Sequence, residues 1–521
     1  MLAAALVVLF LLPSHRGVRD TPADLPAPHP SAACASPDNL RFSSIFTDNL
    51  VLDAASPSRV WGWLDCGTVS AALDGERVPL PVRLDGAGLF VITLPPRAPS
   101  TAPRTLTVRS GGGSTLRLLL RFGRVYFCSG QSNMVGRGKD SDGSVAAALT
   151  VEESAQRADA ESVPLPVYTL RIGQPDDERA GAAGARAELP AGAPQAPWAP
   201  AFVAGDGGAR DFSAVCWWMG RAVAAELGGV PVGLIEAAWG GSAVQAWSTP
   251  DALASCAAPP LPQVWWMPGC PSCFWNSHVS PFAVGPFSLS GVALYIGETN
   301  ALFAQEGYYA CGLPRLLRDL GHAFGGFPWA GVVELAPWES HEKNEGIARV
   351  REAQLATARG WSPGDGGVGT VTVAPSTDCG DPPNGIHPRR KRMLGLRLGR
   401  AALARAPASG PAYLRAEAAA GGALRVYFAE RVRLALPPPE CPEGIPRAAC
   451  MGLEVQLSDG GWRPAAASVE PGGAALLLRA AGGDALAPVA TRSGWAAFPL
   501  VTVLGAESGL PAHPWSAAVA P

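Results

Sequence analysis

The sequence has little charge and no long apolar run. Charged side chains make up 16% of the 521 residues and the formal net charge is −3, whereas about 25% of residues are charged in an average globular protein. This composition gives no indication of a nucleic-acid partner or of an anionic membrane surface. No stretch after the amino terminus reaches the roughly 20 apolar residues that span a bilayer, so we predict no membrane span in the mature chain.

The amino terminus is apolar from Met1 to Leu12, and Pro13 follows. This run is too short to span a membrane but fits the apolar core of a secretory signal. We predict a signal peptide over residues 1–20, with an uncleaved anchor as the alternative, and a linker over residues 21–38. The mature protein is then expected in the secretory pathway, either secreted or lysosome-like.

Eleven cysteines suit an oxidising compartment. Cys441 and Cys450 bracket a Pro-rich segment that a disulfide could close. Cys270 and Cys273 have CxxC spacing, but no second such pair lies at zinc-finger distance, so a local disulfide or free thiols are expected rather than a metal site. Because the total is odd, at least one thiol stays unpaired in a monomer.

The chain is too long for one domain, and its character changes twice. Residues 39–123 hold short alternating runs between turn signals, which are typical of a β-sandwich. Residues 124–408 alternate strand-like and helix-like runs, which indicates an α/β domain with parallel strands. Within it, a Gly/Ala/Pro-rich stretch at about 173–211 is predicted to be a surface insertion. Short strands return over 409–521, which predicts a C-terminal β-rich domain.

The α/β region has a definite predicted order of elements. Its predicted helices are Val145–Asp159, Ser213–Leu227, Arg315–Phe324, Gly346–Arg359 and Arg389–Arg405. Its predicted strands are Val125–Cys128, Val167–Ile172, Val230–Glu236, Val292–Ile296, Trp329–Leu335 and Thr370–Val373.

Four short segments lie at the ends of predicted strands, at Gly130–Met134, Trp239–Ser248, Tyr295–Asn300 and Asp378–Pro388. Open α/β sheets bind ligands at the carboxyl ends of their strands. In the first segment, Ser132 can be a nucleophile if a base and oxyanion donors reach it. The alternative is a serine that only caps the next helix.

His387 in the fourth segment is a candidate base. Pro388 forces His387 into an extended backbone and suits the first turn of the following helix. The imidazole then lies at a helix amino terminus, where the dipole disfavours its protonated form, so it can accept a proton from a serine. The rival histidines are His278, His322 and His341.

One motif is rejected. Gly360–Gly364 reads GWSPG and matches the G-x-S-x-G nucleophile elbow. That elbow needs a strand before the serine and a backbone N–H after it. Here a helix precedes Ser362, and Pro363 has no N–H to donate.

The four segments together resemble the sialate O-acetylesterase family, within the SGNH class of serine esterases. Cys128–Met134 reads CSGQSNM and matches the nucleophile segment of that family without a gap. Gly240–Ser242 is similar to its glycine block, Tyr295–Asn300 looks like its YQGESN with Ile for Gln, and Ile386–Pro388 completes the order. The resemblance extends over about 40–520. It implies a three-layer, parallel-sheet esterase domain flanked by N-terminal and C-terminal β-sandwich-like domains.

The resemblance also implies residue roles. Ser132 would be the nucleophile and His387 the base. The N–H groups of Ser132 and Gly241, with the side chain of Asn300, would hold the oxyanion. The chemistry that the resemblance implies needs no metal and no cofactor.

One position departs from the SGNH pattern. Many SGNH enzymes place an aspartate three residues before the histidine, where this sequence has Asn384. Asp381 is the predicted orienting carboxylate, with Asp378, a backbone carbonyl or a Ser–His dyad as alternatives. Downstream, residues 389–391 read RRK, a basic turn that either attracts a substrate carboxylate or is simply solvated.

The substrate that the resemblance implies is an O-acetylated sialic acid. One alternative is the same chemistry on another acetylated glycan, such as xylan. The other is a non-catalytic glycan-binding protein that uses its β-rich domains. The intact set of Ser132, Gly241, Asn300 and His387 argues against the binding protein.

Overall fold

The computed structural model describes most of the chain after the predicted linker. The described residues are 38–137, 165–172, 182, 184–190, 193, 196–201, 210–262, 264, 266–267, 270–338, 345–381, 385–405, 409–436, 441, 444–482 and 486–519. The predicted signal peptide, the predicted helix Val145–Asp159 and much of the predicted insertion lie outside them.

The N-terminal part is built from two groups of β-strands. One group is an antiparallel sheet of order β1-β3-β6-β5. The other joins β2, β4 and β7 to the start of β8. Alternate residues are buried in β6, where Phe90, Ile92 and Leu94 are fully enclosed, so the strand faces a core on one side only. The strands are β1 Arg41–Phe42, β2 Leu50–Asp53, β3 Ser58–Trp63, β4 Val69–Leu73, β5 Val82–Leu84, β6 Leu89–Leu94, β7 Ser100–Ser110 and β8 Thr115–Gly130.

Strand β8 connects the N-terminal strands to the central sheet. It is 16 residues long. Its first half pairs with β7 and β2, with Leu120 opposite Leu50. Its second half pairs with two central strands, so that Cys128 lies opposite both Glu236 and Ala293. The predicted division at 123–124 therefore falls inside one continuous strand.

The central sheet has the order β10-β9-β11-β8-β12-β13-β14. All these neighbours are parallel except β10, which pairs antiparallel with β9 at the edge. Strands β11 and β12 are buried along their whole length, as expected of parallel strands that are covered on both faces. The strands are β9 Val167–Arg171, β10 Ala196–Pro200, β11 Val232–Ala238, β12 Gly291–Tyr295, β13 Phe327–Val333 and β14 Val368–Ala374.

Helices cover both faces of this sheet. Successive residues of a strand point to opposite faces. The Phe127 ring lies 5.2 Å from that of Phe324 at the end of α6, whereas Cys128 is disulfide-bonded to Cys216 in α2. The helices are α1 Ser132–Val135, α2 Ala214–Glu226, α3 Pro250–Ser255, α4 Ser280–Ala283, α5 Glu298–Leu302, α6 Glu306–Phe324, α7 Glu345–Arg359 and α8 Lys391–Ala402.

The predicted strands and helices of the α/β region that fall on described residues are confirmed, with one clear error. Helix α6 begins at Glu306, nine residues before the predicted start at Arg315. Pro314 directly precedes the predicted start, and a proline inside a helix lacks an N–H and clashes with the preceding turn. The helix nevertheless continues through Pro314, since buried Tyr309, Leu313 and Leu317 hold one apolar face against the core.

The C-terminal part forms an antiparallel sheet of order β15-β16-β20-β19-β18-β21-β23, with β17 and β22 as a separate pair. It has its own core, which includes Leu424, Leu476 and Trp515. The strands are β15 Tyr413–Ala419, β16 Ala423–Phe428, β17 Val432–Leu434, β18 Leu453–Leu457, β19 Trp462–Val469, β20 Ala475–Ala480, β21 Pro488–Ser493, β22 Val503–Gly505 and β23 Trp515–Ala518. The α/β character and the C-terminal β-rich region are thus confirmed.

Arg351 of α7 ties the C-terminal part to the central sheet. Its fully buried guanidinium donates to the carbonyl oxygens of Leu335, Ala496 and Ala497 at 2.7 to 3.0 Å. Among the described residues, no helix combines the length and the apolar composition needed to cross a membrane.

The cysteines pair largely within the α/β region. The disulfides between described residues are Cys128–Cys216, Cys256–Cys311, Cys270–Cys273 and Cys441–Cys450. The Cys441–Cys450 pair is therefore present, and Cys270 and Cys273 form the disulfide rather than the free thiols that were the alternative. Cys379 is a free, buried thiol.

Candidate active site

Ser132 lies directly after β8, with β11 on one side of that strand and β12 on the other. Gly130 has φ +141°, and an added Cβ would lie 2.1 Å from the carbonyl oxygen of Tyr295. Only glycine fits such a close approach. The next residue, Gln131, donates its N–H to that same oxygen at 3.0 Å. The sequence Ser-Gly-Gln therefore turns the chain sharply and leaves Ser132 at the carboxyl edge of the sheet.

His387 reaches Ser132 from the segment that follows β14. Nε2 of His387 lies 2.8 Å from Oγ of Ser132. His387 is exposed to solvent, yet the protein packed around its ring lowers its pKa below the ordinary value of 6.5, and the nearby charge of Lys391 lowers it further. A neutral imidazole protonated on Nδ1 accepts the Ser132 hydroxyl proton at Nε2.

The two candidate orienting carboxylates both bind arginines. Oδ2 of Asp381 accepts hydrogen bonds from the backbone N–H of Arg389 at 3.2 Å and from its Nε at 3.0 Å. Asp378 forms a two-point ion pair with Arg397 at 2.6 and 2.7 Å. These bonds fix the segment on either side of His387. The orienting role of Asp381 stays a prediction, and Asn384 lies outside the described residues.

The glycine block lies beside the turn that carries Ser132. Gly241 has φ +71°, and an added Cβ would lie 2.5 Å from the carbonyl oxygen of Trp266, so a larger residue is excluded here as well. The Gly241 carbonyl accepts a hydrogen bond from Oγ1 of Thr299 at 3.1 Å. Within the described part of the chain, the backbone N–H groups of Ser132 and Gly241 donate to no other residue. Both remain available to a ligand.

Asn300 on α5 is fully buried, and its amide orientation is fixed. Its Oδ1 accepts from the backbone N–H of Val244 at 3.1 Å, and its Nδ2 donates to Oε1 of Gln245 at 2.9 Å. An amide nitrogen carries two hydrogens. The bond to Gln245 uses one of them and leaves the second for another acceptor.

Gln131 joins the first and third segments. Its Oε1 accepts hydrogen bonds from the backbone N–H groups of Gly297 and Thr299 at 3.2 and 3.3 Å. Four segments that are far apart in sequence therefore meet at one edge of the sheet, after β8, β11, β12 and β14.

Asn133 connects three of these segments, and sequence reasoning did not single it out. Its Nδ2 donates to Oε1 of Glu298 at 2.5 Å and to the carbonyl oxygen of Ile386 at 3.0 Å. Its Oδ1 accepts from Nζ of Lys391. The only available signal was its position next to Ser132, because the buried partners come from distant segments.

The basic turn at residues 389–391 is only partly solvated. Arg389 and Arg390 are exposed, whereas Lys391 is buried beneath the site. The alternative of a solvated turn therefore does not hold for Lys391. Its position on the inward face of the first turn of α8 places the ammonium against Asn133 rather than in water.

An exposed aromatic ring flanks the glycine block. The indole of Trp266 is 38% exposed and stacks on the ring of Phe303, with centroids 5.8 Å apart. Its Cε3 would lie 3.1 Å from a Cβ added to Gly241. Trp266 therefore presents an aromatic face next to the candidate oxyanion donors.

The rejected and rival residues lie elsewhere. Ser362 is exposed beyond the end of α7. His278 is fully buried, and its Nδ1 lies 2.7 Å from Oγ of Ser277. His322 lies in the last turn of α6, and His341 is outside the described residues. No group of three or more His, Cys, Asp or Glu side chains in the described ranges is arranged to hold a metal ion.

Comparison with known proteins identifies relatives of one kind. No family model matches the chain. The chain is 27% identical over 395 residues to the sialate O-acetylesterase of Pongo abelii and 26% identical over 395 residues to that of Homo sapiens. Each of these alignments covers 69% of this chain and 69% of the relative. These relatives confirm the resemblance that the motifs indicated.

The fold also has a solved counterpart. A carbohydrate acetylesterase from Xanthomonas citri superposes with a TM-score of 0.71, over 92% of this chain and 99% of its own, at 24% identity. The three-part arrangement of strands and helices is therefore shared along nearly the whole chain.

Proposed function

Because this chain is homologous to the sialate O-acetylesterases and is an ester hydrolase, we propose that it removes O-acetyl groups from carbohydrates, with O-acetylated sialic acid as its substrate. The observation that carries the proposal is the 2.8 Å contact between Nε2 of His387 and Oγ of Ser132. It pairs a base with a nucleophile in the segments that match the family.

The proposed reaction has two steps. Nε2 of His387 takes the proton of the Ser132 hydroxyl while Oγ attacks the acetyl carbonyl carbon. The resulting oxyanion accepts hydrogen bonds from the N–H groups of Ser132 and Gly241 and from Nδ2 of Asn300. The imidazolium then gives its proton to the sugar oxygen, which leaves as an alcohol, and acetyl-Ser132 remains.

Water completes the cycle. His387 takes a proton from a water molecule, and the water oxygen attacks the carbonyl carbon of acetyl-Ser132. Collapse of the second oxyanion breaks the bond to Oγ of Ser132, which recovers the proton from His387. Acetate is released, and no residue changes its oxidation state.

We retain Asp381 as the proposed orienting carboxylate for Nδ1–H of His387. Asp381 precedes His387 by six residues in the same segment and binds Arg389 through Oδ2. Both carboxylate oxygens of Asp378, in contrast, pair with Arg397. An Asp381→Asn variant tests the role, because loss of an orienting charge lowers kcat more than it raises KM.

We further propose that the central domain belongs to the SGNH class. Two features support this assignment: helices on both faces of a mainly parallel sheet, and the order in which the serine, glycine, asparagine and histidine segments follow its strands. The disulfides of the α/β region support maturation in the secretory pathway.

Acetate release tests the function. Wild type is expected to release acetate from O-acetylated sialosides faster than from acetylated xylan. Ser132→Ala is expected to lower the rate by at least about 10³-fold. Ser362→Ala is the matched control, because it removes the serine of the rejected G-x-S-x-G motif and should leave the rate unchanged. Faster release from xylan would replace sialic acid by another acetylated glycan as the substrate.

A covalent probe separates the esterase from a glycan-binding protein. A serine-reactive phosphonate is expected to label wild type at Ser132, and mass spectrometry of the peptide identifies the labelled residue. No adduct on Ser132, combined with no acetate release, would contradict the esterase proposal.

A further inference from the structure

Lys391 is a buried lysine directly beneath the candidate active site. It is the first residue of α8 and is only 4% exposed. Its Nζ donates to Oδ1 of Asn133 and lies 5.3 Å from the centroid of the Tyr295 ring. Burying an ammonium group is costly unless it is paired, so the position requires an explanation beyond packing.

The bond from Lys391 determines how Asn133 can be used. An ammonium group has donors and no acceptor, so it holds Oδ1 of Asn133 towards itself. Nδ2 of Asn133 must then face the opposite way, towards Oε1 of Glu298 and the carbonyl oxygen of Ile386. Without the lysine, the buried Oδ1 of Asn133 would lose its donor, and the amide would be held towards Glu298 and Ile386 from one end only.

We infer that Lys391 is a positioning residue for this reaction: by fixing the amide of Asn133, it holds the residue before His387 and the residue after Ser132 in one rigid arrangement. The inference rests on the proposed function, because it assigns Lys391 to the Ser132–His387 pair. In this proposal, Lys391 acts through Asn133 and not by contact with the reacting atoms.

Titratable groups around Lys391 come from several elements. Glu298 of α5, Tyr295 at the end of β12 and Cys379 of the segment after β14 all face it. Burial lowers the pKa of Lys391 to about 8, an effect that Glu298 and Cys379 partly oppose. Lys391 is therefore a cation at acid pH, where the imidazole of His387 titrates.

The cation has a measurable effect on His387. A positive charge nearby disfavours a second one, and Lys391 contributes to the lowered pKa of His387. Removing the charge therefore raises the pKa of His387. The acidic limb of the pH–rate profile should then move to higher pH, because the base must be neutral to accept a proton.

The test uses the whole chain and p-nitrophenyl acetate, a small ester that does not depend on the sugar. Lys391→Met is expected to lower kcat roughly 10- to 100-fold, to leave KM within about twofold and to move the acidic limb to higher pH. Lys391→Arg keeps the charge and is expected to keep the acidic limb. Arg392→Met is the matched control, because the adjacent Arg392 is exposed and lies over Trp218. This variant should leave kcat, KM and the acidic limb unchanged.

A double-mutant cycle tests whether Lys391 acts through Asn133. The loss in Lys391→Met combined with Asn133→Ala should be clearly smaller than the sum of the two single losses. Circular dichroism confirms that each variant is folded. Additive losses, or a Lys391→Met variant with wild-type kcat and an unmoved acidic limb, would overturn the inference. Wild type that cleaves p-nitrophenyl acetate through Ser132 but not O-acetylated sialosides would overturn the substrate proposal alone.

Discussion

The side chain of Asn133 donates a hydrogen bond to the carbonyl oxygen of Ile386 at 3.0 Å. Asn133 follows Ser132 and Ile386 precedes His387, so neighbours of the two reacting residues are bonded to each other as well. The contact between Nε2 of His387 and Oγ of Ser132 is thus accompanied by a second hydrogen bond between these segments. The surroundings of His387 are therefore fixed, and they determine its pKa.

The acidic limb of the pH–rate profile is the first prediction. Packing around the His387 ring and the charge of Lys391 both lower the pKa of His387 below 6.5. Because the neutral form is active, kcat/KM should rise with pH through a pKa below 6.5 and be close to its plateau at neutral pH. Measuring kcat/KM between about pH 4 and 8, a range of roughly two units around the ordinary pKa of histidine, checks this prediction. A limb centred above 6.5 would contradict the assignment of His387 as the base.

The second prediction separates the donor and acceptor functions of Asn300. Its Oδ1 accepts from the backbone N–H of Val244, and its Nδ2 is the proposed oxyanion donor. Asn300→Asp keeps an oxygen for Val244 but removes Nδ2, and with it the proposed oxyanion donor and the bond to Oε1 of Gln245, so kcat should fall about 10²–10³-fold. Asn300→Ala removes both groups and should also cost about 1–3 kcal/mol of stability, because it leaves the buried Val244 N–H without a partner.

Urea unfolding and steady-state kinetics on the two Asn300 variants check the second prediction. An Asn300→Asp variant with wild-type kcat would exclude Asn300 from the oxyanion site. Equal stability of the alanine variant and wild type would show that Val244 finds another acceptor.

The sequence predicted the elements around the site well, for a physical reason. Strands such as Val232–Ala238 and Gly291–Tyr295 are buried on both faces, so they form short apolar runs that are easily recognised. Glycines at tight turns mark where these strands end. Together these two signals placed Ser132, Gly241 and Asn300 after strands, where the structure has them.

Long-range partners were beyond the reach of the sequence. Nothing in the local pattern shows that Lys391 is buried against Asn133, 258 residues earlier in the chain, because a lysine in the first turn of a helix is usually solvated. The extension of α6 through Pro314 was missed for the same reason, since tertiary packing outweighs the local preference. The predicted domain boundary at 123–124 likewise could not show that β8 pairs both with N-terminal strands and with the central sheet.

The third prediction concerns the disulfide between Cys128 and Cys216. It joins Cys128 of β8, four residues before Ser132, to α2 and closes a loop of 88 residues. In the chain-entropy model, such a loop contributes about 4.6 kcal/mol, against about 2.6 kcal/mol for the separation of nine residues between Cys441 and Cys450. Replacing both cysteines of each pair with alanine should therefore destabilise the first variant more.

Loss of activity in urea measures the stability of the α/β domain in these two double variants. The Cys128/Cys216 variant should lose activity at a clearly lower urea concentration than wild type. The Cys441/Cys450 variant serves as control, because its disulfide lies in the C-terminal part. Identical midpoints for all three proteins would show that the long-range disulfide does not stabilise the active domain.

The fourth prediction concerns the aromatic face beside the oxyanion donors. Trp266 is 38% exposed, and its ring stacks on that of Phe303. Aromatic rings bind ligands through a large apolar face at low entropic cost, and a sugar ring has an apolar face of similar size. Trp266→Ala should therefore raise KM for an O-acetylated sialoside about tenfold, which corresponds to about 1.4 kcal/mol, and leave kcat/KM for p-nitrophenyl acetate within about twofold.

Two controls make this outcome specific. Trp266→Phe keeps an aromatic face and should recover most of the affinity. Trp462→Ala removes a tryptophan from β19 of the C-terminal sheet, far along the chain from the four segments, and should leave both substrates unaffected. If Trp266→Ala lowers activity equally on the sialoside and on p-nitrophenyl acetate, the ring supports the glycine block rather than the sugar. The two substrates therefore distinguish a residue that binds carbohydrate from one that only shapes the site.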